Sequence, residues 1–250
     1  MSLKPDLLGL FIYLALVGHL AAFVFACFAH VRSARGWLLW ATRVSYAFAF
    51  TASAAAVVWR GWSTGHPPMQ NLFEFLLVAG AVLPLLTALS SRFDGEEPIR
   101  VDAALAWIVL FPCGFVLDGA VKHLMPALQS PFFVPHVGAY VLGYLILLRA
   151  AFGVGRRLVG LGFFLLTLGL VLGAVWGKVC WGGWWQFDPK EMWSLATWLV
   201  YAASFHFHAR YGASRPRLDR AFLVLGAVLV VLTLTWINFS RYFAGVHSYA

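Results

Sequence analysis

Long apolar runs recur along this chain at helical length, with little sequence between them. About 20 consecutive apolar residues make one bilayer-crossing helix. Inside lipid only helices and closed barrels satisfy every backbone N–H and C=O group. Eight such runs are read, at about 6–31, 37–59, 70–90, 101–118, 135–153, 158–177, 192–210 and 221–239, the fourth being the shortest. A membrane-spanning strand needs only about 10 residues, so these lengths are helical. Charged residues make up 11% of the chain against roughly 25% in a soluble domain, which leaves no room for a sizeable soluble domain. The reading is an all-α polytopic membrane protein, one domain over residues 1–250, built as a bundle of about eight helices. No internal repeat, low-complexity tract or dividing linker is visible. The first run is long enough to span and lacks a small-residue cleavage site, so it is expected to be retained.

The basic residues orient the bundle, because cytoplasmic loops carry an excess of Lys and Arg. The connections after runs one, three, five and seven hold Arg32, Arg35, Arg92, Arg100, Arg149, Arg156, Arg157, Arg210, Arg215, Arg217 and Arg220. The opposite side holds Lys4, Arg60, Lys122, Lys178, Lys190 and Arg241. Eleven against six places the odd connections in the cytoplasm and both termini outside. The net charge of +8 is mostly this bias. Its arginines are scattered over separate short loops, which excludes a nucleic-acid patch. Asp94, Glu96 and Glu97 make residues 92–100 a solvated turn.

Between runs six and seven lies Trp181-Gly182-Gly183-Trp184-Trp185-Gln186-Phe187-Asp188-Pro189-Lys190-Glu191, on the outer side in this topology. Tryptophan favours the membrane–water interface, and an interfacial belt is the plain explanation. Three in five residues nonetheless exceeds what an anchor needs. A dense aromatic shelf beside fixed charges suits a flat ligand with an apolar face and charged edges, such as haem. Asp188 followed by Pro189 is also a good helix start, and Glu191 sits where a carboxylate stabilises the helix dipole. The segment therefore reads as both a cap and a binding site.

This segment resembles the tryptophan-rich WWD signature, W-G-x-x-W-x-W-D-x-K-E, of the CcsA/ResC-type cytochrome c assembly proteins. It matches at Trp181, Gly182, Trp185, Asp188, Lys190 and Glu191, and departs at Phe187, where the family usually has a third tryptophan. Thr197 to Ala202 with His206, Gly65-His66-Pro67-Pro68 with Asn71 to Glu74, and Val246 to Ala250 resemble the family as well. The resemblance runs from about residue 60 to the end.

The resemblance implies a haem-handling component of system II cytochrome c maturation, a subunit of a haem lyase (holocytochrome c synthase). Haem b would be its transported ligand. His136 and His247 match the two histidines that ligate haem at the outer face, and His206 matches the histidine that receives haem from the inner side. Those three are the expected iron ligands; Trp181, Trp184, Trp185, Asp188, Lys190 and Glu191 complete the expected haem-binding set. Lys190 would meet propionates, and Asp188 would hold a neighbouring histidine in one tautomer. The implied partners are a CcsB-like membrane subunit, which supplies a second ligand near His206, and an apocytochrome c. The family reaction joins haem vinyl groups to the thiols of a C-x-x-C-H motif, so no residue of this chain is expected as a catalytic nucleophile. The implied location is a bacterial inner or thylakoid-type membrane.

Other readings stay open. A haem exporter or chaperone of the CcmC type shares the aromatic segment but lacks the D-x-K-E ending. A membrane accessory protein of haem biosynthesis would handle haem without attaching it. A b-type electron carrier would use His30 and His206. Among the remaining residues, His19 is expected to bond between helices and His123 to be a loop residue. Cys27, Cys113 and Cys180 lack zinc-ligand or C-x-x-C spacing and read as packing residues, Cys180 also being placed to act as a thiol at the segment. Glu74, one turn into run three, requires a partner if buried.

Overall fold

A computed structural model describes residues 6–31, 36–94, 98–212 and 214–239. They form eight α-helices: α1 (Leu7–Val31), α2 (Gly36–Thr64), α3 (Leu72–Asp94), α4 (Ile99–Phe115), α5 (Phe133–Ala151), α6 (Val159–Trp181), α7 (Pro189–Tyr211) and α8 (Pro216–Phe239). Short 3-10 turns occur at Pro126–Gln129 and Arg156–Leu158, and no strand occurs among the described residues. Each apolar run read from the sequence has its helix. Several helices extend past their apolar core into the interface, as α2 does by running on to Thr64.

Six of the eight, α1, α2, α3, α5, α6 and α8, are long and apolar enough to cross a membrane. The fourth helix has 17 residues, one turn short of the usual span. The seventh is long enough, but its buried face consists of Ser194, Thr197, Tyr201 and Ser204. These recur at helical spacing of three and four, so one complete stripe of α7 is polar and inward. With this composition and these helices, the chain is a multi-pass integral membrane protein.

The helices fall into two compact units, Met1–His123 and Leu124–Ala250. In the first, α1 packs on α2, α2 on α3, α3 on α4, and α4 returns to α1. In the second, α5 packs on α6, α6 on α7, α7 on α8, and α8 returns to α5. Each unit is a closed ring of four helices in which chain neighbours are also spatial neighbours. The core of the first ring includes Leu8, Ile12, Leu16, Leu77, Leu110 and Cys113. Lipid tails are as apolar as leucine, so close packing rather than hydrophobicity holds such helices together. A Cβ added to Gly18 would lie 2.9 Å from Ala49 Cβ, and one added to Gly143 would lie 3.1 Å from the Gly162 carbonyl. Backbones of α1 and α2, and of α5 and α6, therefore approach closely. Hydroxyls within the helices bond back to carbonyls one turn earlier, as Thr42 does to Leu38, Ser53 to Ala49 and Thr197 to Trp193; this meets their bonding needs without water.

The second helix carries exposed tryptophans near both ends. Trp37 and Trp40 are exposed at one end, and Trp59 and Trp62 at the other. The two pairs are separated by about 33 Å at ~1.5 Å per residue, close to the ~30 Å hydrocarbon thickness. This is the arrangement of interfacial aromatic belts.

One ionic node ties the first ring together. Arg60, counted from sequence among the loop charges, is buried inside α2 at 2% exposure against a fully buried Glu74 of α3. Its Nε donates to Glu74 Oε1 at 2.8 Å, and its terminal nitrogens donate to the carbonyls of Gly119 and Ala120. The other Glu74 oxygen accepts from the Gln70 backbone N–H, while the Gln70 amide donates to the His123 carbonyl. Glu74 thus has the partner that its burial requires, and His123 contributes a backbone acceptor from an exposed loop position. His19, fully buried on α1, meets Ser53 of α2 at 3.3 Å, the interhelical bond expected of it.

Candidate functional site

The tryptophan-rich segment is a short connection between two helices, each stopped or started by its own sequence. Gly182 ends α6 in the left-handed conformation (φ 79°) that a glycine adopts freely. Its N–H returns to the Lys178 carbonyl, and Lys178 Nζ donates to the Gly182 carbonyl at 2.8 Å. Phe187 also has a positive φ, 56°, a region costly for a bulky side chain. Asp188 then begins α7. Its Oδ1 accepts from the Lys190 N–H at 2.8 Å, while Glu191 Oε2 accepts from the N–H groups of Asp188 (3.2 Å) and Gln186 (2.8 Å). With Pro189 in the first turn this is a complete capping box.

The expected capping role of Asp188 and Glu191 is therefore present, and it fixes the loop rigidly to α7. Asp188 is buried, Lys190 and Glu191 are half-buried, and Trp181 and Trp185 are half-buried. Trp184 and Phe187 are exposed, at 60% and 76%. Burial lowers the Lys190 ammonium from its ordinary range, an effect partly opposed by the Asp188 carboxylate.

His136 joins this segment through a residue that the sequence reading passed over. It lies in the first turn of α5, half-buried. Its Nδ1 is 2.8 Å from the Gly169 carbonyl of α6. A carbonyl only accepts, so Nδ1 carries the hydrogen and Nε2 holds the lone pair in the neutral ring. The tautomer thus follows from α6 and does not require Asp188. The ring lies 5.5 Å from that of Trp176, tilted by 33°, and edge-on to Tyr140 at 5.0 Å. Trp176 is 2% exposed, touches Phe133 and Trp181, and donates its indole N–H to the Ala127 carbonyl at 2.9 Å. Cys180 points its sulfur towards the same carbonyl at 3.5 Å. A glycine–tryptophan spacing at Gly169, Gly173 and Trp176, just before the signature, was the sequence signal for this layer.

His247 lies outside the described residues. His206 is exposed near the far end of α7, 18 residues from Asp188 and so about 27 Å away along the helix. Its neighbour His208 belongs to a different cluster: Nδ1 meets Asp219 Oδ1 at 3.0 Å, and Arg156 holds the other Asp219 oxygen at 2.9 Å. His206 and His208 thus lie on different faces, as their spacing requires. His30 is an exposed residue of the first unit, whereas His206 belongs to the second.

These features define a class: a multi-pass helical membrane protein with a capped, tryptophan-rich interfacial loop beside a histidine of fixed tautomer. A family model described as cytochrome c assembly protein matches residues 148–244. The cytochrome c biogenesis protein CcsA of Prochlorococcus marinus (strain MIT 9303) is 30% identical over 258 residues, covering 78% of this chain and 79% of that protein. CcsA of Synechococcus sp. (strain WH7803) is 27% identical over 303 residues, covering 90% and 92%. The chain belongs to this cytochrome c assembly family, whose CcsA-type members act in c-type cytochrome biogenesis. Among solved structures, the cytochrome c heme lyase CcmF superposes with a TM-score of 0.65 at 21% identity, covering 94% of this chain and 47% of that one. The chain spans about half the length of CcmF, and the likeness is one of fold.

Proposed function

We propose that this protein receives haem b, carries it within the membrane and presents it at the outer face for attachment to an apocytochrome c. The observation that supports this reading best is the His136 geometry. Imidazole is a common axial ligand of haem iron, and a ring whose Nδ1–H is held by a carbonyl offers Nε2 as the donor atom. The segment joined to it through Trp176 carries groups suited to the rest of a haem. Trp181, Trp184 and Trp185 supply aromatic faces for the macrocycle, and Lys190 supplies a cation for a propionate. Trp176 touches both His136 and Trp181, which joins the histidine to the start of the tryptophan-rich segment.

In this proposal His136 and His247 hold the iron from its two sides, and His206 receives haem near the inner face. A CcsB-like membrane subunit completes the inner ligand set and holds the apocytochrome. Attachment adds each thiol S–H of the C-x-x-C-H motif across a haem vinyl group: sulfur bonds to one vinyl carbon and the proton goes to the other. The substrate brings both reacting groups, so this chain contributes orientation and control of the iron. Asp188 and Glu191 keep the loop in one conformation through the capping box rather than touching the reacting atoms. The protein is read as a subunit of a haem lyase in a bacterial inner or thylakoid-type membrane, with both termini outside.

The test is a visible spectrum of the protein purified in mild detergent, beside a His136→Ala/His247→Ala double variant. A six-coordinate haem spectrum that is lost in the variant supports the outer site. Haem retained unchanged overturns that site and directs attention to His206.

A further inference from the structure

We infer that Gly169, Gly173 and Trp176 are positioning residues that select the nitrogen of His136 facing the iron and lock its ring to the tryptophan-rich segment. This rests on the reading of His136 as a haem ligand.

Three contacts converge on one imidazole. From α6, the Gly169 carbonyl takes the Nδ1–H at 2.8 Å. One turn further along the same helix, a Cβ on Gly173 would lie 2.5 Å from His136 Cε1 and 2.8 Å from Nδ1. Real Cβ atoms do not approach so closely, so a side chain at 173 would force the imidazole out of this position. Glycine at 173 therefore leaves open both the volume occupied by the imidazole and its approach to the Gly169 carbonyl. Gly169 itself leaves room for Tyr140, whose ring atoms would lie 2.8 Å from an added Cβ; Tyr140 is the ring standing edge-on to His136.

Trp176, one turn beyond Gly173 on the same helix, is the next neighbour of the ring. It is almost fully buried, and its orientation is fixed by the indole N–H bond to Ala127 and by contact with Phe133. It touches His136 at 5.5 Å between centroids and Trp181, the first residue of the segment, at 4.7 Å. A displacement of Trp176 moves the ligand and the aromatic shelf together. Groups that orient a metal-bound histidine typically contribute about 10- to 100-fold to affinity, and here the backbone and an indole occupy that position.

The test uses full-length protein labelled with 15N-histidine in mild detergent, with His136 assigned from the His136→Ala spectrum. In the haem-free protein, Nδ1 is expected to resonate as a protonated nitrogen and Nε2 as an unprotonated one. Gly173→Ala should abolish that fixed pattern and lower haem affinity by about 10- to 100-fold. Added imidazole should restore the six-coordinate band, because only the donor atom has been displaced. Gly160→Ala, where an added Cβ meets nothing within 4 Å, should leave both signals as in the native protein. If Gly173→Ala does not fold, Trp176→Phe reads the same two signals, since it keeps a ring in the space and removes the bond to Ala127. Unchanged His136 resonances in the folded variant overturn the positioning role. Altered resonances with haem affinity unaffected in both Gly173→Ala and His136→Ala overturn instead the reading of His136 as a ligand.

Discussion

The two four-helix rings share one neighbour scheme, but the polar clusters at Arg60–Glu74 in the first and at Asp188–Glu191 in the second are used differently. In the first, Arg60, Glu74 and Gln70 are buried and bond to one another and to the backbone of residues 119–123. In the second, the polar groups between α6 and α7 are spent on a cap, while Trp184 and Phe187 remain exposed. A closed ionic node fixes structure; the capped loop leaves aromatic surface exposed. The contrast separates charge buried between helices from charge that caps an exposed aromatic loop, although both stretches look equally polar and aromatic in the sequence.

The strongest challenge to this contrast is Glu74→Ala. It leaves Arg60 buried without its carboxylate and should cost about 3–5 kcal/mol, read as a fall in thermal midpoint in detergent. Arg60→Met/Glu74→Leu should recover most of that loss, since a buried pair can be exchanged for apolar residues at little cost. An unchanged midpoint for Glu74→Ala would remove the structural role of the node. Asp188→Ala tests the other side and should cost about 1 kcal/mol through loss of the α7 cap. Asp188→Asn keeps the cap, so stability should hold; a weakened haem spectrum in that variant would assign the charge itself to the site. Phe187→Gly relieves the positive φ and should gain up to about 1 kcal/mol, detected as a raised midpoint. The smallest effect is expected from His208→Ala, about 0.5 kcal/mol, because its pair with Asp219 is solvent-facing on the histidine side. A larger drop would make the Arg156–Asp219–His208 cluster a second node like that of Arg60.

The helices were legible because apolar length is a one-dimensional property. The run read at 135–153 and the helix Phe133–Ala151 differ only at their ends, where Pro131, Pro135 and the interfacial residues blur the hydropathy. The capping box was legible for the same reason: Asp188, Pro189 and Glu191 act within one turn. Long-range pairs were not. Arg60 resembles any flanking charge until α2 and α3 pack, and nothing in the spacing joins it to Glu74. The partner of His136 was hidden because it is a backbone carbonyl, which has no letter of its own. Gly173 and Trp176 were visible as residues, but their roles depend on how α5 crosses α6. His247, expected opposite His136, lies outside the described residues and remains part of the proposal.

The polar inward stripe of α7 bears on how the protein is made. A segment whose future interior face is Ser194, Thr197, Tyr201 and Ser204 is a weak signal for lateral release into lipid, where a hydroxyl that does not bond back to its own helix is costly. The helices against which that stripe packs include α8, which is synthesised afterwards. Part of the cover for that stripe is therefore supplied by a helix that follows α7 in the chain, and the helix that carries the tryptophan-rich loop completes its packing only when α8 is in place.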